Sequence, residues 1–497
     1  MKPPPIILQI KSFHEIKPVI IDMFQNIEVP VIAFNNTSGP ISGTVVLEAP
    51  RGWECEPKFV DLFIPEIGGS KYIIFNVSIP ADLQEKNYMM NFKVRSGGKD
   101  YAYYIKPENI DSARAWGDVS GIRYLDETDL GVPAEIKVSM VKAVFAEKLK
   151  GAYIPGEKEG LKDALVSLGN NIVELTGPQV GYSDLSIYDV IIIGPKAYTL
   201  DGSLPGNNQQ LLDYIETGGT LIVQEQDCDY HDKGYAPYPF KYEVECTQLC
   251  SADTEIDFLL PNHKIFRFPN DIIRSEFDGW VENRGKGFFG DWDKHYHALL
   301  SCTVNKEEKN GGLMICQHGR GSYIYTGYSF YRQVPAAVPG AIRMFANIFS
   351  LPAADVGENL KFLRKTELFA GIIERDLEDI ARIMFMEITD DGENICEEGD
   401  EGNELYIVHS GNVDVIKKED GNEKVVATIG AGACVGEMAI LGKTRRTATL
   451  RANGDVELLV IREDQFEKIL RSHPDIAITL LHLLVRRLSN YQEREEK

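Results

Sequence analysis

The chain has 497 residues, 43% hydrophobic and 26% charged, the balance of an ordinary globular protein. That length is too great for a single core, so about three domains are expected. A net charge of −23 argues against a general nucleic-acid binder, which needs a basic face for phosphate contacts, and disfavours anionic membrane surfaces.

No apolar run is long enough to span a bilayer. The opening MKPPPIILQIKSF has a triple proline and no apolar stretch of signal-peptide length. Eight cysteines are scattered along the chain. Cys246 and Cys250 have C-x3-C spacing, without a second pair or histidines at zinc-finger distance. Reduced structural thiols, a cytoplasmic location and neither cofactor nor metal are the expectation.

In chain order, residues 1–110 read as all-β. VPVIAFNNTSGPISGTVVLEAPRGWECEP and KYIIFNVSIPADLQEKNYMMNFKVRS alternate apolar and polar residues between Gly, Pro and Asn turns. That is β-sandwich patterning, in which Trp53 reads as a core residue rather than a sugar platform. Residues 111–141 are mixed and polar and read as a connector. From Lys142 the pattern changes. KGAYIPG, NIVELTG, YDVIIIGPKAY and TLIVQEQ read as strands, GLKDALVSLGN and NNQQLLDYIETGG as helices. Such alternation predicts a parallel, doubly wound α/β sheet. The nearly continuous apolar run in YDVIIIG fits a strand covered on both faces. After a long insertion the strands resume at GGLMICQHGRGSYIYTGYSFYRQ, and VPGAIRMFANIFSLP is the last helix, so this unit covers 142–355. His318 and Arg320 fall in a tight turn before SYIYTGY.

An enzyme in this unit would need a nucleophile at a strand-end elbow. The turn there is Gly194-Pro195-Lys196-Ala197, without cysteine. Cys228 lies among Asp227, Asp229, His231 and Asp232, and acidic neighbours raise a thiol's pKa. Asp291, Asp293, His295 and His297 could furnish metal ligands with His231 or Asp229; a polar turn-rich loop is the favoured reading. No catalytic residue is assigned.

Residues 356–497 carry the sharpest chemistry. LRKTELFAGIIERDLEDIARIM has helical spacing. ICEEGDEGNELYIVHSGNVDVIK, punctuated by Gly399 and Gly411, reads as a compact antiparallel sheet. Two helical stretches follow Asp464, broken at His473-Pro474. Between them lies VGEMAILGKTRRTATLRA, residues 435–452. The planar, always charged guanidinium of Arg446 can fork onto phosphate oxygens. Glu437, ionised, accepts hydrogen bonds and suits a sugar hydroxyl. Backbone N–H groups around Gly436 and Ala439 could complete an anion cradle.

Residues 360–497 resemble a cyclic nucleotide-binding domain of the type in catabolite activator protein and protein kinase A regulatory subunits. The cassette aligns without a gap, although Arg445 stands where proline is common. The resemblance implies an eight-stranded roll with flanking helices. It assigns the ribose 2′-hydroxyl to Glu437, the cyclic phosphate to Arg446, and cassette backbone to Gly436, Met438 and Ala439. It places Thr447, followed by the small Ala448, towards the purine, where a hydroxyl could bond a guanine amino group. The ligand is therefore cAMP or cGMP. Activator relatives carry a helix-turn-helix beyond this point; none follows here, so direct DNA binding is not expected.

The N-terminal segment resembles immunoglobulin-like NEW3 modules. Residues 142–352 resemble the class I glutamine amidotransferase-like fold, as in the non-catalytic region after the deacetylase domain of some PIG-L (LmbE-like) proteins. The fold class expected is multidomain α+β: an N-terminal β-sandwich, a central doubly wound α/β unit and a C-terminal β-roll. The reading adopted is a cyclic nucleotide sensor signalling through its last helix to the N-terminal units. The alternatives are a nucleotide-gated enzyme acting on a carbohydrate-type substrate, or a ligand-free scaffold. The last helix or N-terminal units could also support a homo-oligomer or a protein partner.

Overall fold

A computed structural model describes residues 4–20, 23–106, 130–157, 160–243, 250–304, 306–419 and 422–495. Two six-stranded sheets open the chain. Strand Gln25–Asn35 shows the underlying alternation: Ile27, Val29, Val31 and Ala33 are buried, with less buried residues between them. Both sheets contribute to one core, where Phe75 from one meets Phe92 from the other with ring centroids 6.1 Å apart. Trp53 is buried in the same core. The stretch expected to be a connector contributes to both sheets. Leu130–Gly131 pairs with Tyr104–Ile105, and Glu135–Val141 lies between His14–Pro18 and Lys86–Ser96. Ile136, Val138 and Met140 point into the core, an alternation masked by the polar segment before it. Residues 111–129 of the expected connector lie outside the described residues.

The central sheet has seven strands. Strands Lys150–Ile154, Asn171–Glu174, Val190–Ile193, Thr220–Gln224 and Gly321–Thr326 run parallel. Leu313–His318 and His297–Ala298 add antiparallel partners at one side. Each face has its own core. Ile192, Ile222 and Ile324 pack with helices Leu161–Ser167 and Pro339–Phe349. Ile191, Ile193, Leu221 and Val223 pack with helix Asn208–Glu216. Coverage of both faces explains the uninterrupted apolar strand VIII. Arg343 ties this unit to the first through an ion pair to Glu85 at 2.8 Å, and pairs within its own unit with Glu276 at 2.7 Å.

The boundary expected between residues 355 and 356 falls inside one helix, Leu351–Leu363. Its start, Leu351, belongs to the central core; its end, Leu363, belongs to the C-terminal core. Pro352 near the N-terminus suits a new helix beginning directly after the previous one, so no loop marks the junction. Lys264 pairs with Asp355 on the same helix.

The C-terminal sheet has six strands. The roll implied eight, and the long strands Glu404–Glu419 and Thr449–Arg462 account for the difference. Their mutual register shifts between Val408 and Asn412, so the chain bends through bulges instead of breaking. Helices Glu463–Ser472 and Pro474–Glu495 close the fold, with the break at His473-Pro474 as predicted. Among the described residues no helix is long and apolar enough to cross a membrane. Contrary to the expectation of wholly reduced thiols, Cys228 is disulfide-bonded. Cys250 is free, with its Sγ 3.5 Å from that of Cys302; Cys246 lies outside the described residues.

His263 caps the short turn Lys264–Phe266, its ring accepting from the Ile265 N–H at 3.2 Å. Burial, then the charge of Lys264, lowers its pKa from the ordinary 6.5 to about 4. A depressed folded value means that this contribution to stability is full above pH 6.5 and lost as pH falls towards 4. His263→Asn keeps an acceptor at the cap without titrating in this window. Thermal unfolding from pH 7 to 4 should therefore show a shallower loss of Tm than wild type; equal slopes would contradict the assignment.

Candidate functional site

The cassette begins where the short strand Cys434–Val435 pairs with Tyr406 and Ile407. Gly436 then turns the chain at φ 84° into helix Glu437–Gly442. Only glycine adopts that conformation cheaply. Its carbonyl lies 3.3 Å from Nη1 of Arg446. Glu437 and Ala439 are buried, whereas Met438 is exposed. The Ala439 carbonyl accepts the Thr444 N–H at 3.0 Å, closing the turn.

The return strand is held by main chain. Arg446 N–H donates to Asp400 O at 2.8 Å, and Gly399 N–H donates to Arg446 O at 2.9 Å. Arg445 adds a side-chain bond to Gly399 O at 2.8 Å. Arg445, standing where proline is common, thus supplies a local anchor of its own. Gly402 completes the frame. A Cβ there would overlap that of Ala439 and meet Arg446 Cδ at 3.3 Å.

The frame delivers a guanidinium that is only 5% exposed. Its Cζ lies 5.0 Å from the centroid of the Tyr406 ring, and Nη2 donates to the Tyr406 hydroxyl at 3.2 Å. Among the described residues Nε has no hydrogen-bond partner. Among the described residues no carboxylate lies within ion-pairing distance of Arg446. A buried cation compensated only by neutral acceptors and a ring face favours capture of an anion. Tyr406 passes the polarity on, its hydroxyl donating to Glu404 at 3.1 Å. Burial pushes this phenol's pKa up, the Arg446 charge opposes the shift, and Glu404 adds to it. The phenol therefore stays protonated and can accept from the arginine while donating to the carboxylate. Burial, and then Glu404, also push the Glu387 carboxyl up.

Beside the guanidinium lies a cavity of about 340 Å³, lined by Cys396, Asp400, Asn403, Glu404, Tyr406 and Arg462 among others. Its size is that of a small-ligand site. Arg462 makes no ion pair among the described residues. Of the residues singled out in the sequence, Gly436 and Arg446 touch directly. Glu437 and Ala448 are buried within the same cassette, while Met438 and Thr447 are exposed. Sequence reasoning missed Tyr406, Glu404 and Gly402. The signal for Tyr406 was its inward position in LYIV, read only as strand character.

In the central unit, Lys196 adopts a left-handed conformation, φ 56°, at the strand-end turn and pairs with Glu157 at 2.9 Å. Glu225 is buried, pairing with Lys286 at 2.9 Å and accepting from Tyr331 at 3.0 Å. His295 pairs with Asp293 and stacks on Tyr238, while His231 pairs with Asp232 at 3.1 Å. Among the described residues no three His, Cys, Asp or Glu side chains converge on a metal position.

Residues 389–473 match the cyclic nucleotide-binding domain model, and the chain carries this domain at its C-terminal end. The cyclic nucleotide-gated channel beta-3 of Canis lupus familiaris is 34% identical over 126 residues, 25% of this chain and 16% of the channel. The match thus spans a small part of that relative's length. Among solved structures, the regulatory domain of Toxoplasma gondii PKA with cAMP is 32% identical, covering 23% of this chain and 44% of its own, with TM-score 0.22. Thermus thermophilus catabolite activator protein is 30% identical, covering 26% and 62%, with TM-score 0.25.

Gly402→Ala tests the packing under Arg446. The added methyl has no room, and overpacking costs about 1–3 kcal/mol. Amide exchange should accelerate in residues 399–402 and 437–446; unchanged protection there would show that the frame accommodates a side chain.

Proposed function

We propose that this chain is a cyclic nucleotide sensor whose C-terminal cassette holds cAMP or cGMP. Arg446 takes the cyclic phosphate, Glu437 accepts from the ribose 2′-hydroxyl, and Gly436, Met438 and Ala439 supply the surrounding backbone. The observation that carries this reading is the buried guanidinium of Arg446 with no ion-pair partner among the described residues. A cyclic phosphate brings one negative charge and two free oxygens, which a planar fork can meet bidentately. Thr447 is exposed beside Ala448, and its hydroxyl faces the purine of a bound ligand. The cAMP named with the Toxoplasma gondii structure, and the cyclic nucleotide gating in the channel's name, support the ligand class.

The C-terminal helix is the element that closes over the base. Ile476 and Leu480 anchor it in the core, while Ile478 and Leu481 on other faces are exposed. The ligand shifts this helix only by its differential affinity for the closed state. The sandwich and the amidotransferase-like α/β unit receive the signal.

Calorimetry on the full chain tests the proposal, with cAMP, cGMP and 5′-AMP as control. Wild type should bind a cyclic nucleotide in preference to 5′-AMP. Arg446→Ala should weaken binding by about 2–5 kcal/mol, roughly thirtyfold or more; equal affinity in both proteins would remove Arg446 from the site. Thr447→Ala should cost cGMP about 1 kcal/mol and leave cAMP unchanged.

A further inference from the structure

A hairpin of the central unit touches the nucleotide-binding domain. Strands Leu313–His318 and Gly321–Thr326 are joined by a tight turn in which Gly319 has φ 57°. Gln317 donates from its side chain to the Met386 carbonyl. The Arg320 guanidinium lies 5.1 Å from the centroid of the Phe385 ring. Nearby, Lys294 is 3.8 Å from Asp390. These contacts converge on one strand of the roll, Phe385–Thr389, and the residue after it.

Strand register carries that contact towards the cassette. Phe385 stands opposite Val460, and Val460 stands opposite Tyr406. Directly paired residues share a face, and all three pack with the same core inside the roll. At one end of this row Arg320, from the central unit, rests on an aromatic ring. At the other end Arg446, from the cassette, rests on another. Two strand spacings separate the rings' strands, roughly 10 Å. In the neighbouring row, Glu404 stands opposite Arg462. Glu404 accepts from Tyr406, and both Glu404 and Arg462 line the cavity beside Arg446. The charges of Arg462 and Glu404 both act on Arg320.

We propose that Arg320 is a positioning residue for the nucleotide site, acting through the Phe385–Val460–Tyr406 row on the ring against which Arg446 rests. Release of Arg446 from Tyr406 onto a ligand phosphate is read by the central α/β unit at this hairpin. The inference rests on the proposed capture of phosphate by Arg446. With the helix Leu351–Leu363 continuous through both units, the hairpin contact is a place where they can adjust. Reciprocity then requires that disturbing Arg320, which need not touch ligand, alters nucleotide affinity.

The test uses the full chain with cAMP and cGMP, comparing wild type, Arg320→Ala and Arg320→Lys by calorimetry. Amide exchange across residues 313–326 is followed with and without nucleotide, also in Arg446→Ala. Arg320→Ala should shift affinity at least about fivefold, with Arg320→Lys restoring most of it through its retained charge over the Phe385 ring. Nucleotide should change hairpin exchange in wild type but not in Arg446→Ala. Tight wild-type binding with unaltered affinity in Arg320→Ala, or with a silent hairpin, would overturn this inference alone. Absence of wild-type binding would overturn the sensor reading and this inference together. A melt of each variant without nucleotide identifies loss of fold, in which case Arg320→Lys and wild-type hairpin exchange decide.

Discussion

The C-terminal domain is organised around a charge that, among the described residues, no carboxylate neutralises at ion-pair distance. Arg446 is buried, its Nε lacks a partner among the described residues, and its other contacts are the hydroxyl and ring face of Tyr406 and the Gly436 carbonyl. Holding a guanidinium in that state is costly, and the surrounding structure bears the cost with backbone. The Gly399–Asp400 main chain clamps the arginine's own backbone. Gly402 leaves room for its stem, and the turn at Gly436 brings a carbonyl under its tip. In the proposed binding event the main chain of the site is already in place, and the guanidinium has only to leave the Tyr406 hydroxyl.

The same arginine places the rest of the molecule in context. Tyr406 ties it to Glu404, and the sheet register ties Tyr406 to the strand on which the central unit docks. The helix Leu351–Leu363 belongs to two cores at once. The two units are therefore joined by a continuous helix, by the hairpin contact and by ion pairs of Lys264 and Lys294, not by a loop. Such an arrangement suits communication through small shifts at a packed contact. Glu404 and Glu387 act on the Tyr406 phenol and favour its protonated form.

Part of this was legible in the chain. Gly436-Glu437 followed by Arg446 nine residues later has a chemical logic that survives without coordinates, and His473-Pro474 marked a real helix break. Alternating burial made the strands of the first unit readable, and an apolar run marked a strand covered on both faces. Other features were hidden for physical reasons. Glu135–Val141 looked like linker because a polar segment precedes it, yet its pairing partners lie far away in sequence. The junction at 355 gave no turn signal because helix runs through it. Tyr406 contributes through long-range register, which periodicity cannot reveal. Arg320 was recognisable as a turn residue, but its aromatic partner is 65 positions away, counting from Arg320 to Phe385.

The most direct measurement is a crystal structure of the full chain bound to cAMP or cGMP. The account predicts phosphate oxygens within hydrogen-bonding distance of the Arg446 guanidinium and displacement of that group from the Tyr406 hydroxyl. A nucleotide held elsewhere, or held in the cassette while Arg446 stays on Tyr406 without touching phosphate, would contradict it.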